Sequence, residues 1–228
     1  DCLLSRGLGD VYKRQEKYPD VWIFGEVIHG DYASIVRASG MDSVTQYELW
    51  KGIWSSIESR NFFELDHALG RHNEFSDAFT PMTFVGNHDV TRIASRVGQD
   101  GAVLATAILA TIGGIPLIYY GDELAYRGVK EERFGGDDDI RPVFPASPAD
   151  LSNLGADTLR AHQSLLGLRR RHPWLVDART ESLDLTNERY VYRTGVPGVE
   201  PLIVELDVRD GCSVLIREAG QVVWSSGA

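Results

Sequence analysis

Phe84-Val85-Gly86-Asn87-His88-Asp89 decides the reading of this chain. An apolar run from Pro81 to Val85 reads as a buried strand, and it ends in a glycine followed at once by Asn, His and Asp. A second apolar run, Val21-Trp22-Ile23-Phe24-Gly25, ends the same way in Glu26. Continuous runs of β-formers suit strands of a parallel sheet buried on both faces. Polar residues at the C-terminal ends of such strands occupy the place where parallel barrels carry their functional groups. Two strands each delivering a carboxylate to the same kind of position suggest a shared pocket with carboxylate chemistry.

Working outward, strand and helix signals alternate. Asp42–Tyr47 and Ile115–Tyr120 read as two more strands. Residues 32–39 read as a short helix, and Leu49–Arg60 as a longer one with Leu49, Ile53, Trp54 and Ile57 at helical spacing. Phe62–His72, Ala102–Ile112 and Thr158–Arg171 complete the helices, the middle one ended by Gly113-Gly114. Strands alternating with helices mean parallel βα units. Four units fit between residues 16 and 178, half of an eight-stranded barrel, which needs ~250 residues. A doubly wound sheet is the alternative, but no Gly-x-Gly-x-x-Gly fingerprint follows any strand.

Beyond Pro173-Trp174 the pattern changes. Arg189–Thr194, Pro201–Asp207, Ser213–Arg217 and Gln221–Trp224 read as short strands split by Gly, Pro and Asp, so residues 179–228 form a small, incomplete all-β domain. At the other end, Asp1 to Gln15 has no apolar periodicity and resembles a translated sequencing or assembly scar, foreign to the fold. On that expectation the natural protein starts earlier, and localisation is unreadable.

Composition narrows the function. Lys+Arg of 23 against Asp+Glu of 33 gives a net charge of −10, and no basic run is present. That argues against nucleic acid and against an anionic membrane surface as partners. No apolar stretch approaches the ~20 residues of a bilayer span. Cys2 and Cys212 have no ligand-type spacing, and the six histidines show no His-Glu-x-x-His pattern, so neither a Cys-based zinc site nor a His-Glu-x-x-His metal site is predicted. His67, His72, His162 and His172 read as surface or core hydrogen-bonders.

A glutamate at an apolar strand edge is partly desolvated, which favours its protonated form and suits a general acid. Asp89 beside His88 suits binding of sugar hydroxyls or of developing positive charge. One protonated and one ionised carboxyl is the pairing that glycoside hydrolysis uses. Capping of the next helix, or pairing with an arginine, is the alternative reading of each carboxylate. Among secondary candidates, His29 and Tyr32 follow Glu26 closely and could line the cleft. Arg92, one turn after Asp89, could orient it. Trp50, Trp54, Tyr126 and Phe134 could stack on sugars, although Trp50 and Trp54 at i, i+4 fit core packing better. Asp137-Asp138-Asp139 with Arg141 could hold Ca²⁺, or form a solvated loop over the cleft. Asp122 and Glu123 should hydrogen-bond at the strand rim, and Arg169-Arg170-Arg171 should simply answer a helix C-terminal dipole.

These motifs resemble the C-terminal half of an α-amylase family protein, glycoside hydrolase family 13. Phe24-Gly25-Glu26-Val27 looks like the fifth-strand motif, the Asn87-His88-Asp89 run like the seventh-strand motif, and Gly114-Ile115-Pro116 through Glu123 like the eighth strand. The resemblance implies strands five to eight of a (β/α)8 TIM barrel followed by part of a β-sandwich domain. It implies retaining cleavage of α-glucosidic bonds, with Glu26 as acid/base and Asp89 as transition-state stabiliser. His88, Asn87, His29, Tyr32 and Arg92 would bind the α-glucan or oligosaccharide. Ca²⁺ is possible in the full-length protein. The nucleophilic Asp belongs to a fourth-strand motif absent here, so the chain alone is expected to be inactive. A transglycosidase or sugar isomerase on the same scaffold, or a non-catalytic carbohydrate-binding relative, are the alternatives.

Overall fold

A computed structural model of the chain describes residues 11–151 and 153–226. Residues 1–10 of the suspected scar lie outside the described residues; residues 11–17 form a helix, α1, whose Gln15 side chain donates to the Gly40 carbonyl at 2.7 Å.

Four short parallel strands lie side by side in chain order. β1 (Phe24–Gly25) pairs with β2 (Ser43–Val44), a Thr45–Met82 bridge joins β2 to β3 (Met82–Phe84), and β3 pairs with β4 (Ile115–Leu117). Each crossover carries helix: α2 (Tyr32–Ser39), then α3 (Tyr47–Ser59) with α4 (Phe63–Ser76), then α5 (Ile93–Thr111). α6 (Ala156–Arg171) follows the long loop after β4. Same-direction neighbours joined by helices are what continuous apolar strand runs require.

Local sequence sets the helix ends. The Asp31 carboxylate accepts from Ser34 N–H at 3.0 Å to start α2, and Gly40 stops it at φ +69°, a backbone conformation natural to glycine. Gln46 caps α3 by accepting from the Glu48 and Leu49 amides. α5 begins nine residues before the predicted Ala102, since 102 − 93 = 9. Gly98, at φ +73°, interrupts it and, with polar Arg96, Gln99 and Asp100, breaks the apolar rhythm of its first turns.

The C-terminal strands form an antiparallel meander, β5 (Arg179–Leu185), β6 (Arg189–Gly195), β7 (Leu202–Asp207), β8 (Ser213–Glu218) and β9 (Gln221–Ser225), paired in that order. β5 was not expected. It is an edge strand with largely polar, solvent-facing residues and an irregular register near Ser182 and Asp184, so it lacks alternation. The sheet packs on the helices through one core. Ile53 and Ile57 of α3, Leu104 and Ile108 of α5, Leu165 and Leu168 of α6, and Val204, Leu206 and Ile216 of the sheet belong to a single buried cluster. Tyr192 shares a hydrogen bond with Thr111 at 2.7 Å, and Tyr190 donates to Asp66 at 2.9 Å.

Two expectations change. Val21 to Gly25 is not a doubly buried strand: only Phe24 and Gly25 pair, on one edge, and Val21, Trp22 and Phe24 are exposed. Among the described residues nothing pairs with the other edge of β1. Arg169 is not a solvated member of its basic run. It is buried and donates to the carbonyls of Ala110 and Ile112, satisfying acceptors that the end of α5 leaves open. That burial lowers its pKa to about 10.

Candidate active site

The C-terminal ends of the first three strands each deliver a polar group to one rim. Glu26 follows β1, Tyr47 follows β2 and opens α3, and Asn87-His88-Asp89 follow β3. The backbone beside Glu26 is held by Thr45, whose N–H donates to Gly25 O at 3.1 Å and whose hydroxyl accepts from Val27 N–H at 2.9 Å. The phenol of Tyr47 donates to Glu26 Oε1 at 2.8 Å and accepts from Asn87 Nδ2 at 2.7 Å. Asn87 Oδ1 in turn accepts from the Asp89 amide at 2.9 Å. Burial first, and the bond to Glu26 second, raise the Tyr47 pKa, which keeps the phenol protonated and able to donate.

His88 Nε2 lies 3.3 Å from Asp89 Oδ2. The other Asp89 oxygen accepts from Arg141 Nη2 at 2.7 Å, while Arg141 Nε donates to His88 O at 2.7 Å. A carboxylate oxygen of Glu26, a carboxylate oxygen of Asp89 and a ring nitrogen of His88 fall within 4.8 Å of one another. A cavity of about 250 Å³ beside them is lined by the polar Glu26, Thr45, Asn87 and His88 and by Phe24, Met82, Phe84, Leu117 and Tyr119. Polar groups mixed with apolar, aromatic side chains suit a sugar ring, which offers both hydroxyls and C–H faces.

The structure therefore brings Glu26, Asn87, His88 and Asp89 together. It corrects two companions. Tyr32 is fully buried against Phe75, ring centroids 5.1 Å apart, and its hydroxyl donates to Ile28 O, so it is core and not cleft. Arg92 does not orient Asp89: it is fully buried beneath the rim, where it bonds Asp122 Oδ1 at 2.9 Å and Tyr120 O at 2.6 Å. Its guanidinium sits 4.1 Å from the centre of the Tyr119 ring. The arginine that grips Asp89 is Arg141, from the loop after β4. His29 is exposed and does not line the cavity. Glu26 is also exposed, since the open edge of β1 leaves it without the desolvation expected of a strand-end carboxyl.

Trp50 stacks on Phe84 and packs on Tyr47, while Trp54 lies under Arg96, so both serve packing. Tyr126 packs near Phe144, and Phe134 is fully exposed away from the cavity. Asp137 is paired with Arg141 and Lys130, and Asp138 and Asp139 are exposed, so this loop offers cation-neutralised carboxylates and does not fit a Ca²⁺ cage. His72, His162 and His172 are buried hydrogen-bonders, and His67 is exposed. Tyr47 and Arg141 were the residues missed. The strand-end rule that found Glu26 and Asp89 points equally at Tyr47, at the end of the second strand; nothing local marks Arg141 as a partner of Asp89.

Comparison with known proteins identifies the family of the chain. Residues 8–180 match the family model for the α-amylase catalytic domain. α-Amylase 3 of Dictyoglomus thermophilum is 32% identical over 126 residues, which are 51% of this chain and 24% of that enzyme. A 4-α-glucanotransferase of Thermotoga neapolitana is 43% identical over 80 residues, covering 34% of this chain and 18% of the relative. The chain thus spans about a quarter or less of these curated relatives. In fold, it superposes on the cyclic α-maltosyl-(1→6)-maltose hydrolase of Arthrobacter globiformis with a TM-score of 0.74 at 17% identity, over 98% of this chain and 52% of that one. Because the family match runs over well more than half of the 228 residues, the chain belongs to the α-amylase family, glycoside hydrolase family 13.

Proposed function

We propose that this chain is the segment of a retaining α-glucan-active enzyme that carries the acid/base and the transition-state stabiliser. The four parallel strands are read as strands five to eight of a (β/α)8 barrel, and the antiparallel sheet as its C-terminal β domain. Glu26 protonates the glycosidic oxygen and then activates water. Asp89, steadied by Arg141, faces positive charge developing on the sugar ring, with His88 and Asn87 on its hydroxyls. The substrate is a starch-like glucan or maltooligosaccharide. The observation that carries this reading is the convergence of Glu26, His88 and Asp89, the first two of which line one cavity with Phe24, Phe84 and Tyr119.

Retention requires a second carboxylate ~5–5.5 Å from the acid. In the family the resemblance points to, that carboxylate is the Asp of a fourth-strand motif which these residues do not carry, so we assign the nucleophile to sequence outside this chain and infer that the chain by itself is inactive. The test is to read the source DNA upstream of the Glu16 codon, express the encoded polypeptide, and assay maltooligosaccharides. Four further βα units ending in an Arg-x-Asp motif are expected, with turnover that Glu26→Gln lowers about 10²–10⁴-fold. Absence of that Asp, or turnover indifferent to Glu26→Gln, overturns the reading. The Thermotoga relative, with its 43% identity, favours glucanotransfer as the second reading. Longer oligosaccharide products from maltotriose would select it over hydrolysis.

A further inference from the structure

We propose that Tyr47 is a positioning residue that couples the orientation of the Glu26 carboxyl to that of Asn87 and, through Asn87, to the Asp89 turn. Its importance for turnover rests on the function proposed above; the coupling itself rests on geometry. The strand order places β2 between β1 and β3, so a side chain from the end of β2 is the one able to touch both neighbours' functional groups. Tyr47 has no freedom to do otherwise. Its ring packs edge-on to Phe84 at 4.9 Å and to Trp50 at 5.7 Å. Its backbone is fixed by the Gln46 cap of α3 and by the Gln46 N–H to Met82 O bond of 2.9 Å.

Counting protons gives the contact a direction. A phenol has one hydrogen to donate. Given to Glu26, that hydrogen leaves the phenol oxygen to accept from Asn87, which it does. The Asn87 amide is then fixed at both ends, with Nδ2 on Tyr47 and Oδ1 on the Asp89 N–H. The result is a directed chain of donors running from the Asp89 backbone to the Glu26 carboxylate. Such chains polarise along their length. Tyr47 can keep donating to a Glu26 oxygen whether that carboxyl is ionised or protonated. The geometry can therefore persist through a cycle in which the acid loses and regains its proton.

The test follows the chain's own resonances through a pH titration, with ¹³C-labelled tyrosine rings and glutamate carboxyls and ¹⁵N-labelled asparagine side chains. The Tyr47 Cζ and Asn87 Nδ2 signals should move in the same step as the Glu26 carboxyl carbon. Glu26→Gln should remove that step from both. Tyr47→Phe keeps the ring packed on Phe84 and Trp50 and should remove the step from Asn87 while Glu26 still titrates. A purely structural tyrosine would leave the Asn87 response in place. An Asn87 step that survives Tyr47→Phe, or a Tyr47 signal blind to Glu26, overturns the proposal. The outcome is independent of the glucan assay: coupling without turnover in the complete polypeptide sinks the enzymatic reading alone.

Discussion

Arg92 and Asp122 form an ion pair from which water is shut out on both sides: Nη1 and Oδ1 are 2.9 Å apart, and the side chains are 0% and 2% exposed. The pair joins the start of α5 to the turn after β4, beneath the Asn87–Asp89 rim. Burial, opposed by the Arg92 bond, raises the Asp122 pKa to about 6. Removing one partner of a buried pair strands the other charge, at a cost of about 3–5 kcal/mol. Asp122→Ala should lose that much unfolding free energy in urea titration, and Asp122→Asn, which keeps an acceptor for Arg92, clearly less. Equal losses would mean that a neutral acceptor is worth nothing there and that the charge of Asp122 carries the whole effect.

Gly86 faces the same carboxylate. A Cβ built there would lie 2.3 Å from Asp122 Oδ2, and Asp122 cannot swing away without releasing Arg92. Gly86→Ala should destabilise the fold by about 1–3 kcal/mol, as overpacking does. Combined with Asp122→Ala, which removes the obstructing atoms, its cost should shrink. A double-mutant cycle measures this, and strict additivity would show that the two sites do not touch.

His72 supplies an acid-sensitive element. Its ring is buried, with Nε2 3.2 Å from the Gly113 carbonyl, which calls for a proton on that nitrogen. Burial, only partly offset by that bond, lowers its pKa from 6.5 to about 4. The unfolded state then binds a proton more readily than the folded one. Stability from this group is complete above pH 6.5 and is lost as pH falls toward 4, by about 3 kcal/mol at most. Urea titrations at pH 7 and pH 4.5 should show the loss, and His72→Gln, which takes up no proton, should flatten it. An unchanged acid slope in the variant would place the sensitivity elsewhere.

Arg141 joins the loop after β4 to the site by its bonds to Asp89, His88 O and Asp137. Its side chain is 41% exposed, and exposed ion pairs contribute only about 0–1 kcal/mol. Arg141→Ala should therefore leave the global unfolding midpoint nearly unchanged. The loop between Tyr126 and Ser147 should nonetheless be cleaved faster in limited proteolysis. Equal cleavage rates would show that the loop is held by something other than Arg141.

Much of this was written locally. The helix over 32–39 was legible residue for residue, because Asp31 and Gly40 mark its ends. The Asn-His-Asp run and Glu26 were legible because a parallel sheet must present its C-terminal ends on one side. β5 was not, because an edge strand with a solvated face needs no apolar alternation. The true places of Arg92 and Arg141 were hidden for a different reason. Arg92 lies 30 residues from Asp122, and Arg141 lies 52 from Asp89, so their partners depend on the fold and not on nearby sequence. Tyr32 followed Glu26 closely enough to look like cleft, but helical phase turned it inward onto Phe75.

The cluster that runs from α3 through α5 and α6 into β7 and β8 has a bearing on how this lineage is free to change. Leu206 and Ile216 of the sheet share that cluster with Leu104 and Ile108 of α5, so the sheet is not a detachable cassette. A gene that exchanged it at residue 178 for an unrelated domain would inherit a helix whose outer surface has no cover. Recombination in this region should be accepted only where the donor carries a matching apolar face, so the heritable unit is the sheet together with the helices it rests on.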